Sequence, residues 1–383
     1  MITAALGAAL AALSITVLGS YGWALFVGLP FFLGLVVALL RDPGSLSQTL
    51  GTATAATALV GVLIFGMALD GGICVVMALP LALPLALAGA WVGWLARRGP
   101  SRRPPRTFAI ALVALPLAMG AEAKVDRPPE LHAVTTSVVV DAPPEAVWRR
   151  VVAFPPLAEP RSMHFRAGIA YPRSATISGR GVGALRRCRF STGDFVEPIT
   201  VWDEPRRLAF SVTEQPAPMR ELSIWGDVHP PHLDGFLRSR RGEFRLIPLP
   251  GGRTLLRGTT WYENRMWPAR YWRLWSDEII GSIHERVLAH VARWAEADHG
   301  RNVRARGEHE PARNPEPGSG AAALPTGAHP AVGGPRAPRR APLDRRVGPR
   351  RAVHAGDRHA PEREHGVRGP GDDPRRLHGP LPP

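Results

Sequence analysis

From Met1 to Ala96 the only charged residues are Arg41, Asp42 and Asp70. An ordinary water-soluble domain has no way to solvate such a surface, so that class of fold is excluded here. The hydrocarbon core of a bilayer takes about 17 to 25 apolar residues per helix, and the charge-free run from Met1 to Leu40 is roughly twice that long. It reads as a helical hairpin over residues 2–18 and 23–40, broken at Gly19, Ser20, Tyr21 and Gly22, with Tyr21 and Trp23 suited to the membrane interface. Further spans are predicted over 50–69, 73–96 and a short 107–121, with the polar turn Asp70, Gly71, Gly72 between the third and fourth. Pro80 and Pro84 kink the fourth, which lipid-embedded helices tolerate when neighbours satisfy the freed carbonyls.

Loops rich in Lys and Arg stay cytoplasmic, which places the loop holding Arg97, Arg98, Arg102, Arg103 and Arg106 inside. Counting back puts the Asp70 turn outside and the N-terminus inside. Counting forward through the fifth span puts whatever follows outside the cytoplasm. No basic segment precedes the first apolar run, which argues against a cleaved secretory signal. Residues 1–123 are thus expected to form an all-α, multi-pass transmembrane region, and 124–130, with Pro128 and Pro129, a linker.

The net charge of +15 is concentrated at the C-terminal end, where residues 301–383 hold 16 Arg against 9 Asp and Glu. That stretch has no Phe, Trp, Tyr, Ile, Met, Cys or Lys, so it cannot pack a core, and no aromatic is interleaved for base stacking. We expect 298–383 to be a disordered Arg/Pro/Gly-rich tail, or GC-rich coding sequence read out of frame, and expect no nucleic-acid partner. Two cysteines, Cys74 in an apolar run and Cys188 further on, supply neither a disulfide framework nor a Cys-based zinc site.

The segment 131–297 has the composition of a folded soluble domain. Residues 132–140 read as a strand; Asp141, Pro143, Pro144 and Glu145 then open a helix that must end by Pro155 and Pro156. Strands follow over 182–190, 195–202, 207–213, 242–249 and 253–262, separated by turn residues. Last comes a long amphipathic helix, because Trp272, Trp275, Ile279, Ile283, Val287, Val291 and Trp294 recur at helical spacing.

The run from Asp141 to Trp148, the stretch from Phe195 to Phe210 and the closing helix together resemble the START-like superfamily, also called SRPBCC or polyketide cyclase/dehydrase and lipid transport. The resemblance implies an α+β helix-grip fold, a curved antiparallel sheet around a long C-terminal helix, here preceded by the all-α transmembrane bundle. It also implies a cavity for an apolar or amphipathic ligand, and it carries no universal catalytic set.

For that cavity the candidate ligand-binding residues are Phe190, Glu197, Tyr262, Trp272, Trp275 and Ile279, and the candidate catalytic residues are Glu197 and Tyr262. Alternation puts Phe195, Glu197, Ile199 and Val201 on one strand face, where Glu197 is either desolvated among apolar neighbours or exposed and paired with an arginine. His229, His232 and Asp234 form an H-x-x-H-x-D cluster interrupted by Pro230 and Pro231, which reads as a polar surface loop. His284 and His290, six positions apart, do not share a helix face and are expected to meet solvent or cap. No metal and no cofactor are expected; the expected partners are the lipid bilayer and an apolar small molecule. A cyclase/dehydrase-type enzyme and a membrane-tethered interaction module without ligand remain alternatives.

Overall fold

The apolar N-terminal runs are helical. The computed structural model describes residues 1–40, 45–98, 104–125 and 127–308, all within the first of two units, Met1–Ala352. Helix α1 (Ile2–Ala12) continues as a π-helical turn over Leu13–Val17, the chain reverses through Gly19 at φ +57, and a second π-helical stretch, Ala24–Gly28, leads into α2 (Leu29–Leu40). Then come α3 (Leu46–Gly66), capped where the Ser45 hydroxyl accepts from the Gln48 amide, α4 (Gly72–Arg98) and α5 (Pro104–Ala123). Helices α3 and α4 are long and apolar enough to cross a membrane. At a rise of about 1.5 Å per residue they measure roughly 32 and 40 Å, against a hydrocarbon core of about 30 Å.

Two devices hold these helices together, and neither was apparent from hydropathy. The Glu122 carboxylate, at the end of α5, accepts the backbone amides of Trp23 and Ala24, both at 2.9 Å, and pairs with Arg127 at 3.0 Å. A carboxylate at exposed helix amides is favourable on both hydrogen-bond and dipole grounds. Helices α2 and α4 meet through small residues. A Cβ on Gly34 would overlap the Ala86 carbonyl and one on Gly89 the Phe31 carbonyl, so the two backbones touch where larger residues would hold them apart.

After β1 (Leu131–Val140) the chain forms α6 (Pro144–Val152) and the short α7 (Met163–Arg166), then β2 (Pro172–Ser178), β3 (Leu185–Phe190), β4 (Asp194–Asp203) and β5 (Arg207–Ser211). A small hairpin of β6 (Glu221–Ser223) and β7 (Gly226–Val228) precedes β8 (Leu237–Leu249), β9 (Arg253–Asn264) and α8 (Ala269–Glu308). The seven-stranded antiparallel sheet has the order β1-β9-β8-β5-β4-β3-β2 and curls around α8, which is the expected helix-grip arrangement.

Local details differ from expectation. Strand β2 opens on Pro172 and owes its existence to pairing with β3, while β6 and β7 are three residues each, too short to leave a periodic signal. Asp141 does not cap α6: Pro143 occupies that position, and the Asp141 amide instead donates to Glu296 on α8 at 3.0 Å. The closing helix runs on to Glu308, so the expected tail begins as helix, tied by Asp298 to Arg150 and Arg301, both at 2.5 Å. Residues 309–383, for which disorder was expected, lie outside the described residues.

The α2–α4 contact yields a test. Overpacking a site of this kind costs about 1–3 kcal/mol, so Gly89→Leu should lower the thermal midpoint of the purified full chain by several degrees. Gly51→Leu on α3, where no atom lies within 4 Å of the added Cβ, should leave it unchanged.

Candidate functional site

Strand β3 alternates, so Arg186, Cys188 and Phe190 turn toward α8 while Arg187 and Arg189 are exposed. On β4 the register sets Glu197 opposite Arg186 and Phe195 opposite Cys188, which gives the inward face one cross-strand ion pair. Both partners are buried, Arg186 at 2% exposure and Glu197 at 5%. The guanidinium bonds the Glu197 carboxylate and reaches the Val152 carbonyl at 3.3 Å. Around it stand the rings of Phe154, Phe210 and Phe244, with centroids 5.7, 5.3 and 5.8 Å from the guanidinium carbon. Aromatic faces at that range attract a desolvated cation and replace part of its lost hydration.

Burial opposes the charge on Arg186, but Glu197 and Cys188 outweigh it and hold the guanidinium above its ordinary value. Burial likewise pushes Glu197 above the ordinary carboxylate range, with Arg186 pulling the other way. The Cys188 thiol is pushed up to about 12, first by burial and then by Glu197, which makes it an inert apolar filler.

Between this floor and α8 lies a cavity of about 120 Å³. Its apolar walls are Phe190, Phe195, Phe210 and Phe244 from the sheet with Ile280, Ile283, Val287 and Leu288 from α8. Its polar side is His284 with Thr259, Thr260 and Ser239. His284 is held between two hydroxyls, Thr260 at 2.7 Å from Nε2 and Thr136 at 3.3 Å from Nδ1, and burial lowers it to about 4. It is a neutral donor and acceptor facing the cavity, where a solvent or capping role was expected. His290 is buried as well, with Nε2 3.0 Å from the Pro155 carbonyl.

The sequence candidates separate into three groups. Phe190 and Glu197 stand on the cavity wall. Tyr262 is fully buried beneath the start of α8, its hydroxyl donating to Asp277 at 2.6 Å. Trp272, Trp275 and Ile279 face a different core, shared with the N-terminal helices. There Phe26 packs edge-on against Trp272 at 4.8 Å between centroids, and Tyr271 bonds the Met77 carbonyl. Trp272 also borders a second apolar cavity, about 110 Å³, lined by Tyr21, Phe26, Leu29 and Asp70 among others.

Arg186, Phe210 and Phe244 were missed, whereas His284 was among the possible cavity acids or bases, with Glu263 and Asp277. Strand alternation could have flagged Arg186, yet it sits among three arginines within four residues, and only pairing decides which of them turns inward. The H-x-x-H-x-D cluster does not converge either. His229 and Asp234 form an exposed pair at 2.9 Å, while the short 3₁₀ turn Pro231–Leu233 carries His232 into the interior.

Residues 132–263 match the model of a family described as polyketide cyclase/dehydrase and lipid transport, so this segment is a domain of the SRPBCC superfamily. Among solved structures, a norcoclaurine synthase point mutant from Thalictrum flavum is similar at 10% identity, covering 45% of this chain and 99% of that one, with a TM-score of 0.30. The Zhui aromatase/cyclase from Streptomyces sp. R1128 is similar at 16% identity, covering 46% and 99%, with a TM-score of 0.28. Comparison with curated proteins gives no match.

Removing one partner of a buried ion pair leaves the other charge uncompensated, at about 3–5 kcal/mol. Arg186→Met should therefore destabilise the chain strongly, and adding Glu197→Leu should restore most of the loss. Chemical denaturation of both variants measures the coupling; equal stability of the single and double variants would show that Glu197 is not left unpaired.

Proposed function

We propose that this polyketide cyclase/dehydrase-type domain binds an apolar or amphipathic small molecule, of the lipid or polyketide class, between its sheet and α8, and that the chain holds the domain at a membrane. The observation that carries the reading is a cavity with aromatic and aliphatic walls, an ionic floor and a neutral histidine on one side. Apolar walls with a few fixed polar groups are the general composition of small-molecule sites. The space of about 120 Å³ is smaller than the roughly 300–1,000 Å³ of such sites, so a ligand of this class enters by displacing α8 side chains such as Ile283 and Val287.

Binding is favoured over catalysis because the candidate groups are committed: both His284 ring nitrogens meet threonine hydroxyls, and Glu197 and Tyr262 have partners of their own. Glu197 is neutralised by Arg186, and the Tyr262 hydroxyl is spent on Asp277. A general base needs a lone pair free to accept substrate's proton. A domain without ligand that acts only by interaction is the outcome left if no probe binds.

The membrane reading rests on α3 and α4 and on the apolar side chains that the helical region leaves exposed, among them Val62, Val76, Trp91, Leu95, Val113 and Leu117. In our reading five segments span: the two arms of the hairpin, α3, α4 and α5. The hairpin turn, the Asp70 turn and the end of α5 all contact the domain or one another, through Tyr21 with Trp267, Cys74 with His232 and Glu122 with Trp23. The exposed Trp225, whose indole donates to the Gly66 carbonyl at 2.7 Å, suits the interface beside the end of α3. With the arginine-rich loop at the opposite end in the cytoplasm, the domain is extracytoplasmic.

Gly258, on β9, faces the cavity, and a Cβ there meets Leu288 and Phe244 at an ordinary 3.5 Å. Gly258→Val should therefore fill the cavity without unfolding the chain. In nanodiscs it should weaken binding of a fluorescent fatty acid at least tenfold while the thermal midpoint moves by no more than a few degrees. Unchanged affinity would place the probe elsewhere, and no binding by the wild type would remove the ligand reading. For topology, Arg102→Cys should resist an impermeant thiol reagent in intact cells and react after permeabilisation; labelling in intact cells would reverse the orientation.

A further inference from the structure

Where the helical region meets the domain, four chemically distinct side chains converge in a place the sequence gives no reason to suspect. Asp70 lies just before α4 and Cys74 lies in its first turn, a spacing of four residues that brings both to one side of the helix start. Glu221 comes from β6 and His232 from the 3₁₀ turn. One ligand atom from each lies within 4.8 Å of all the others, and all four residues are buried. The Cys74 sulfur is 3.1 Å from His232 Nε2, Glu221 is 3.9 Å from that nitrogen, and Asp70 is 3.9 Å from His232 Nδ1.

Asp70 and Cys74 are partnered, Asp70 by accepting the Gly71 amide at 2.9 Å and Cys74 by meeting His232 Nε2. Glu221 is fully buried, and neither of its carboxylate oxygens has a hydrogen-bond partner among the described residues, nor does His232 Nδ1. An unpartnered buried carboxylate is among the costliest groups a protein can hold. Gly71 makes room for it, since a Cβ there would overlap the Glu221 carboxylate. Apolar neighbours complete the enclosure: Met219 and Leu233 pack on Cys74, and the Tyr21 ring stands edge-on to His232 at 5.1 Å.

We propose that Asp70, Cys74, Glu221 and His232 form a binding site for a divalent transition metal of the zinc class, which fastens the start of α4 to the β6–β7 hairpin and the 3₁₀ turn. One thiolate, one imidazole and two carboxylates are the donor types zinc takes, in tetrahedral geometry at about 2.0–2.3 Å. Donors at those bond lengths stand roughly 3.3–3.8 Å apart; the four ligand atoms here lie within 4.8 Å of one another, so the side chains close in by up to about 1 Å around an ion. A doubly positive ion supplies the charge that two carboxylates and a thiolate lack in a dry enclosure. The site is independent of the cavity under α8 and of whatever occupies that cavity.

Cobalt(II) reports on such a site because a thiolate ligand gives it an intense near-ultraviolet charge-transfer band. The full chain in detergent, stripped with chelator and titrated with Co²⁺ alone, should bind about one ion with that band, and added Zn²⁺ should abolish it. The chain has two cysteines, so the thiolate can be assigned. Cys188→Ser should keep the band and Cys74→Ser should lose it. Glu221→Gln and His232→Asn, which preserve size, should weaken Co²⁺ binding at least tenfold, and His229→Ala, altering the exposed neighbour, should not. If the wild type shows no thiolate band, or if Cys188→Ser abolishes it, the proposal is overturned. The wild-type titration and the Cys188 variant decide the matter even where a ligand variant fails to fold.

Discussion

Helix α8 carries one apolar stripe and divides it between two cores. Its later residues, Val287, Leu288, Val291, Ala292 and Ala295, close over the curled sheet with Trp148, Leu208 and Leu256. Its earlier residues, Trp272 and Ile279, pack instead with Tyr21, Leu25, Leu29 and Met119 from the N-terminal helices. At about 1.5 Å per residue the helix of 40 residues is roughly 60 Å long, more than the sheet alone can cover. Burying a Trp or Ile side chain contributes about 1.5–3 kcal/mol, so the first part of the stripe requires a second partner. The helical region supplies it, and the domain is therefore built onto that region and not merely attached by a linker.

The same division organises the polar groups. Inside the sheet, the pair of Arg186 and Glu197 is neutralised internally and caged by aromatic rings, which leaves a fixed dipole at the floor of an apolar cavity. At the junction, Asp70, Cys74, Glu221 and His232 come from opposite sides of the contact between helices and domain. With the proposed ion bound, a cluster contributed by both sides of a buried junction would register one against the other, since a slip would pull ligands off the metal. Glu122 acts in the same way at a smaller scale, binding the end of α5 to the first turn after the hairpin.

In the function we propose, the two regions have separate tasks. The sheet and the later part of α8 enclose space for a small molecule, with His284 neutral and able to offer or accept a hydrogen bond. The helical region sets where that space is held. On that proposal, Trp225 at the tip of the β6–β7 hairpin and the exposed apolar residues of α3 and α4 would turn toward an apolar phase. An amphipathic ligand would then travel a short distance between bilayer and cavity.

Periodicity and composition alone determined a good deal. The scarcity of charge to Ala96, three residues in all, required apolar helices, and alternation with turn residues located most strands of the sheet. The stripe from Trp272 to Trp294 demanded a long helix, and the motif after β1 pointed to the helix-grip arrangement, which the sheet order bears out. Alternation also turned Glu197 inward. What it could not decide was the partner of each buried face, because periodicity says that a residue is covered and not by what. Trp272, Trp275 and Ile279 obey the stripe yet face the N-terminal helices. Arg186 was indistinguishable from Arg187 and Arg189 until the register set it opposite Glu197. The junction cluster joins residues about 150 positions apart along the chain, as Cys74 and His232 are at a separation of 158. No local pattern links them; the packing of the start of α4 against β6 and the 3₁₀ turn brings them together.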